Sequence, residues 1–292
     1  MNRVKAQQRV ITELVTTLQS DQIDTLQPQL VNQYGDLYVF GGGIWPLPAQ
    51  RDPDRDRFST FYARDAGGVL QLNTVWNQTE SAKYWKQPWY KDGMNAPKGE
   101  CAWAKAYQDA ASPQPRTNCA MAITKNGKPW GVATIDVTLG FFNQLAGDMG
   151  KVIGGTVLII EADGKIVGNG SSVQGSAALA NLRGLSIPAA APLSRLIAQG
   201  EKTEYQVNYA GEDGDHTLFV LPIKDSPWYL AAYIASSKLE HHSDAILIKL
   251  ILVQIIIGIV IIFVMVMIVR GIFRSVRLLD KIFWHYRVVA QI

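Results

Sequence analysis

Hydrophobic positions fall in three patterns along the chain. Val4, Val10, Ile11, Leu14, Val15, Leu18, Ile23 and Leu26 recur at helical spacing. They predict a long helix over residues 1–30, broken near Ser20-Asp21 and limited by Pro28. Residues 31–237 instead carry short apolar runs, many of them alternating, between clusters of glycine, asparagine and aspartate. These read as strands and turns. The third pattern is a single run over 250–269, with no charge and Gln254 as its one clearly polar residue. At about 1.5 Å per residue it is long enough to cross the roughly 30 Å apolar core of a bilayer. A core helix has no need to be apolar on every face for so long.

The middle region repeats a similar order twice. In residues 31–150, YGDLYVFGGGIW reads as a strand ending in a glycine-rich bend, and FSTFYARDAGGVLQLNT as two strands around a turn at 65–68. MAITKNGKPWGVATIDVTL reads as a hairpin turning at Asn126-Gly127, whose second strand runs into a helix over 138–149. In residues 151–237, VIGGTVLIIEADGKIVGNG turns at Asp163-Gly164, a helical stretch follows at 192–199, and three more strands end in SPWYLAAYIA. The expected fold class is α+β. A long N-terminal helix carries two modules with antiparallel sheets, followed by a juxtamembrane and transmembrane helix over 238–269 and a short tail over 270–292.

Charge orients the apolar span. Arg270, Arg274, Arg277, Lys281 and Arg287 follow it with Asp280 as the one acid, whereas Lys238, Glu240, Asp244 and Lys249 precede it. A basic excess marks the cytoplasmic side. Residues 1–245 are therefore expected to face outward, into a periplasm or extracellular space, and 270–292 to face the cytoplasm. The N-terminal MNRVKAQQRVITELVTTLQSDQ has no apolar signal-peptide stretch, so export of the outer part is expected to need a leading signal or membrane helix that these residues do not supply. Net charge is +3 and its basic excess sits after the span, which leaves no basic face for nucleic acid. Cys101 and Cys119 lie eighteen positions apart. In an exported domain they read as a disulfide, whose loop closure contributes about 3 kcal/mol in the chain-entropy model; two independent thiols are the alternative. The four histidines are remote from this pair, and neither a metal nor a cofactor is expected.

Candidate chemistry gathers in one stretch. Tyr84, Trp85, Trp89, Tyr90, Trp103 and Tyr107 are large aromatics within 24 positions. Asp109 follows Tyr107 by two, so on a strand both face one way. Asp136 interrupts an apolar strand between Ile135 and Val137. Aromatic walls with a few placed carboxylates suit a small-ligand pocket, and in particular an amine. A Trp/Tyr-rich core with two surface aspartates is the alternative. Other features are quieter. Gly41-Gly42-Gly43 lacks the Lys-Ser/Thr of a phosphate loop, RDPDRDR reads as a solvated loop and GEDGDH as a hairpin turn. No nucleophile–base–orienter set is visible, so the chain is not read as an enzyme.

SAKYWKQPWYKDG, WAKAYQD and GVATIDVTL, in this order and spacing, resemble the double-Cache sensor domains of bacterial transmembrane receptors. That family pairs a membrane-distal and a membrane-proximal PAS-like module on a long helix, and serves chemoreceptors, diguanylate cyclases and histidine kinases. The resemblance covers about residues 5–240. It implies a ligand site in the distal module formed by Tyr84, Trp89, Tyr90, Trp103, Tyr107, Asp109 and Asp136. In amino-acid-sensing members an arginine two places before the Trp-Tyr pair binds the ligand carboxylate. Trp89-Tyr90 match that pair, but Gln87 stands in the arginine's place and Ala82 at the expected tyrosine. Tyr107, Asp109 and Asp136 match the residues on the ligand's amine side. An ordinary α-amino acid is thereby put in doubt, and an amine, a purine-like base or another small organic molecule stays open.

The resemblance further implies a homodimer and a cytoplasmic output module, for chemotaxis or cyclic-di-GMP signalling. The tail over 270–292 is too short to be that module, so the sequence is read as a receptor fragment. A membrane-tethered binding protein that delivers ligand to a transporter is the competing reading.

Overall fold

The N-terminal periodicity resolves into two helices, with the break just ahead of Ser20-Asp21. α1 (Asn2–Thr17) and α2 (Ser20–Val31) are separated where Leu18 turns extended, at φ −80° and ψ 149°. Gln19 starts α2 with a reciprocal pair of side-chain-to-backbone bonds to Gln22, which satisfies donors that a helix start leaves bare. Pro28 does not end α2 but lies within it. Its ring removes the donor that would serve the carbonyl of Asp24; the Tyr62 hydroxyl donates to that carbonyl instead, at 3.2 Å.

This computed structural model describes residues 1–109, 112–170, 179–185, 187, 189–199, 205–211, 214–239 and 249–270. It separates into a unit Met1–Ser236 and a unit Ser237–Ile292. In the first unit, α2 is followed by β1 (Val39–Pro46), β2 (Thr60–Arg64), β3 (Leu70–Leu72), α3 (Pro88–Asn95), β4 (Ala102–Trp103), β5 (Tyr107–Asp109), β6 (Ser112–Lys125) and β7 (Lys128–Thr138). These strands form one antiparallel sheet in the order β3-β2-β1-β7-β6-β4, with β5 also on β6. The β6–β7 hairpin turns at Asn126 and Gly127, with φ 52° and 74°, the backbone that a two-residue turn of this kind requires.

Next come α4 (Leu139–Ile153), β8 (Thr156–Glu161), β9 (Ile166–Asn169), α5 (Ala190–Ala198), β10 (Tyr205–Gly211), β11 (Gly214–Pro222) and β12 (Trp228–Ala235). Their strands make a second antiparallel sheet, β10-β11-β12-β8-β9. The α+β class with antiparallel sheets is as expected. The turn at 211–214 has residues 212–213 outside the described set. In the second unit, α6 (Lys249–Arg270) is one helix of 22 residues, long and apolar enough to cross a membrane. Residues 240–248 and the tail over 271–292 lie outside the described residues.

Gly41-Gly42-Gly43 are not a bend. They sit inside β1, paired with β2 on one side and β7 on the other, because the space admits nothing larger. A Cβ on Gly41 would overlap the Tyr62 carbonyl, and one on Gly43 would lie 2.7 Å from the Trp45 indole. Just before them the β1–β7 register slips between Val39 and Gly41. Such a bulge re-aims the extra residue, here Phe40, which packs with Trp45 and Phe61.

Each face of the first sheet has its own cover. Val4, Ile11 and Val15 of α1 pack with Ile44, Met121, Ile135 and Val137 on one side. The other side carries an aromatic cluster of Phe40, Trp45, Phe61, Tyr84 and Tyr90. α4 leaves β7 and packs on β8 and β9 of the second sheet. Trp103, Phe142 and Trp228 interlock at this junction, with centroids 4.8 to 6.5 Å apart. Cys101 and Cys119 form the expected disulfide, Cα atoms 5.1 Å apart, stapling the start of β4 to β6.

Candidate functional site

Antiparallel pairing places the polar residues. Asp136 on β7 lies opposite Asn118 on β6 and Gly41 on β1. Residues directly opposite share a face, so Thr134 and Asp136, with Arg116 and Asn118, project to the aromatic side. Gly41 and Gly43 bare the sheet beside them. Trp45 folds back over that bare strip, and its indole N–H donates to Thr134 Oγ1 at 2.9 Å.

Asp136 is buried at 3% exposure and Arg116 at 1%. Arg116 Nε donates to Asp136 Oδ2 at 3.2 Å. Tyr107 donates its hydroxyl to the same oxygen at 3.2 Å, and accepts from Asn118 Nδ2 at 3.0 Å. The guanidinium lies against two rings, 5.0 Å from the Phe40 centroid and 4.9 Å from that of Tyr107. Trp45, Phe61, Trp76 and Trp89 complete the walls of a cavity at this pair. Its volume is about 10 Å³, room for about one water molecule. In this arrangement the side chains themselves fill the site.

The sequence-predicted residues separate into three groups. Trp89, Tyr107 and Asp136 meet at the cavity. Tyr84 and Tyr90 stand behind it, within the aromatic core. Tyr84 donates to the Pro46 carbonyl at 2.8 Å, and burial pushes its phenol up to about 12. Burial raises Tyr90 as well, so both stay neutral. Trp103 is not with them: it sits at the junction of the sheets, against Phe142 and Trp228. The side chain of Asp109 lies outside the described residues. Lys86, a conceivable stand-in for the missing arginine, is exposed.

Sequence reasoning missed Trp45, Trp76, Arg116, Asn118 and Thr134. For Arg116 and Asn118 the turn alone misleads: counting back from Asn126-Gly127 sets Thr117 opposite Asp136, and only the register shift between Ile123 and Thr124 brings Asn118 there, with Arg116 on the same face. The aromatic partners come from β1 and from the turn at 75–77, distant in sequence.

A larger cleft of about 710 Å³ opens where the sheets meet, lined by Trp103, Trp228 and Tyr229. Its charged groups, Asp92, Lys105, Lys224 and Asp225, are all exposed. Water already satisfies them, so the buried pair is the stronger candidate for specific recognition.

Residues 29–144 match the family model described as methyl-accepting chemotaxis protein-like, first PDC sensor domain. No curated protein matches the sequence. Among solved structures, the extracellular domain of the histidine kinase mmHK1S-Z3 is 13% identical with a TM-score of 0.63, covering 84% of this chain and 91% of that one. A structure described as methyl-accepting chemotaxis protein X is 17% identical with a TM-score of 0.58, covering 80% and 90%. The sensory domain of the Campylobacter jejuni chemoreceptor Tlp3, solved with isoleucine bound, is 12% identical with a TM-score of 0.52, covering 81% and 85%. At these identities the structures speak for the fold, and the family match for the module. Residues 29–144 thus match a first PDC sensor domain, and the chain shares the fold of these extracellular and sensory domains over most of its length.

Proposed function

We propose that this chain is the extracytoplasmic sensing part of a bacterial membrane receptor, and that it binds a small organic molecule at the Arg116–Asp136 cavity. The observation that carries this reading is the ion pair itself, both partners buried beneath tryptophan and tyrosine rings. Taking two charges out of water costs several kcal/mol per ion before their attraction is counted, and apolar residues of the same size often serve stability as well. Such a pair at a cavity is better accounted for by recognition than by stability. A ligand entering here displaces the aromatic walls, and favours whichever arrangement of the module binds it more tightly.

In this proposal the outer unit faces away from the cytoplasm, α6 crosses the membrane, and the signal passes along it to a cytoplasmic output module. A second copy of the chain completes the receptor. Isoleucine in the Tlp3 relative makes amino acids one class to screen beside amines and purines. The test is a thermal-shift screen of the full chain in nanodiscs. A molecule that stabilises wild type and loses its effect in Trp89→Ala, Tyr107→Phe or Asp136→Asn supports the site. Full retention of the effect in all three variants places the ligand elsewhere.

A further inference from the structure

We propose that Arg116 decides the charge of the ligand: it is a built-in counter-ion for Asp136, so the cavity takes a small organic molecule without net positive charge and rejects simple amines. This deepens the reading just given and rests on it.

Asp136 sits where an amine would be expected to dock, but its Oδ2 already receives Arg116 Nε at 3.2 Å and the Tyr107 hydroxyl at 3.2 Å. The aromatic faces that would draw a cation are engaged as well, since the guanidinium lies over both Phe40 and Tyr107. An arriving ammonium ion would place two cations on one buried carboxylate. It could avoid this only by expelling Arg116, whose side chain is 1% exposed and whose Nη1 is further tied to the Gln114 carbonyl at 3.3 Å. The other described lining residues, Trp45, Phe61, Trp76, Trp89, Asn118 and Thr134, carry no charge, so none offers an amine a second anchor. They offer flat apolar faces and two polar groups. An uncharged or zwitterionic molecule with an apolar or planar body meets those faces without competing for Asp136.

The experiment uses n-propylammonium and its uncharged counterpart 1-propanol, titrated against the full chain in nanodiscs at constant ionic strength. Wild type should show no saturable propylammonium binding. Arg116→Ala should gain at least about tenfold in propylammonium affinity over wild type and over 1-propanol, since the carboxylate has then lost its counter-ion and the space against the Phe40 and Tyr107 rings is open; about 1.4 kcal/mol suffices for that factor. The gain should vanish in Arg116→Ala/Asp136→Asn. If Arg116→Ala does not fold, Arg116→Met keeps the apolar stem between the rings and carries the same expectation. Saturable propylammonium binding to wild type overturns the proposal, whether Asp136→Asn or Asp109→Asn abolishes it. So does a variant that gains nothing. If Arg116→Ala takes the amine but the broader screen finds no wild-type ligand of any charge, the ion-pair account survives and the sensor-pocket reading fails.

Discussion

Asp136 in the first sheet and Glu161 in the second are both buried carboxylates on inner strands, β7 and β8, yet only Asp136 has its counter-ion buried with it. Arg116 is 1% exposed, while Lys165, the partner of Glu161 at 3.4 Å, is 29% exposed. Glu161 also accepts the backbone N–H of Ala106, and Lys165 Nζ donates to the Ala106 carbonyl at 3.2 Å. The second sheet therefore grips both backbone groups of Ala106, the residue next to Tyr107. The two arrangements differ in what can relax. Lys165 can turn to water if its partner is lost, whereas Arg116 has nowhere to go. A pair with both ends buried fits a cavity built for recognition, and a pair with one wet end fits a joint between modules.

The sharpest way to break this comparison is to remove one acid. Asp136→Ala should cost about 3–5 kcal/mol in urea unfolding, because it strands a buried guanidinium. Replacing both partners, as Arg116→Met/Asp136→Leu, should recover most of that loss. If Asp136→Ala costs under about 1 kcal/mol, water already reaches Arg116 and the contrast with Lys165 disappears.

Next in size is the disulfide. Cys101→Ser/Cys119→Ser should cost about 3 kcal/mol, since the bond closes an eighteen-residue separation wholly within the first module. That loss should be equal in neutral and mildly acidic buffer, because no titrating group is touched. A pH-dependent loss would mean that the staple and the Glu161 joint are coupled through β4.

Gly43→Ala probes the other half of the contrast, the bare strip that gives the first sheet its cavity. The new methyl meets the Trp45 indole at 2.7 Å, so the ring must swing and give up its bond to Thr134. Overpacking of this kind costs about 1–3 kcal/mol, and tryptophan emission should shift with it. An unchanged spectrum and unchanged stability would show that the strip has room to spare.

How much of this was legible beforehand differs between strands and site. The hairpin turns at Asn126-Gly127 and Asp163-Gly164 were readable because local backbone chemistry dictates them. The α1–α2 break was nearly so, displaced only because Gln19 and Gln22 cap the second helix. The glycine triplet was misread as a bend, since its reason is the closeness of the Tyr62 backbone carbonyl and the Trp45 indole, which strand pairing and packing bring there. The same applies to the site. Asp136 and Tyr107 stand out locally as polar groups in odd places, but Arg116 reads as an ordinary residue on a strand until the register sets it beside Asp136. Trp103 misled for the converse reason: it is near the other aromatics in sequence, yet faces the junction.

The smallest effect concerns Glu161, and its sign is the informative part. Burial raises its pKa above the ordinary glutamate value, with the Ala106 bond and Lys165 opposing the rise. The folded chain therefore holds a proton that the unfolded chain has already released. Between the ordinary value and the raised one the unfolded state binds fewer protons, so stability falls as pH rises through that window and levels off above it. Glu161→Gln resembles the protonated form. It can still accept from Ala106 but carries no charge to desolvate. The variant should match wild type in acid and be the more stable of the two near neutrality. If both proteins instead show the same slope of stability against pH, Glu161 is not the titrating group. If the variant is the less stable near neutrality, the Lys165 pair outweighs burial, and the joint resembles the Arg116–Asp136 pair more closely than its partly exposed lysine suggests.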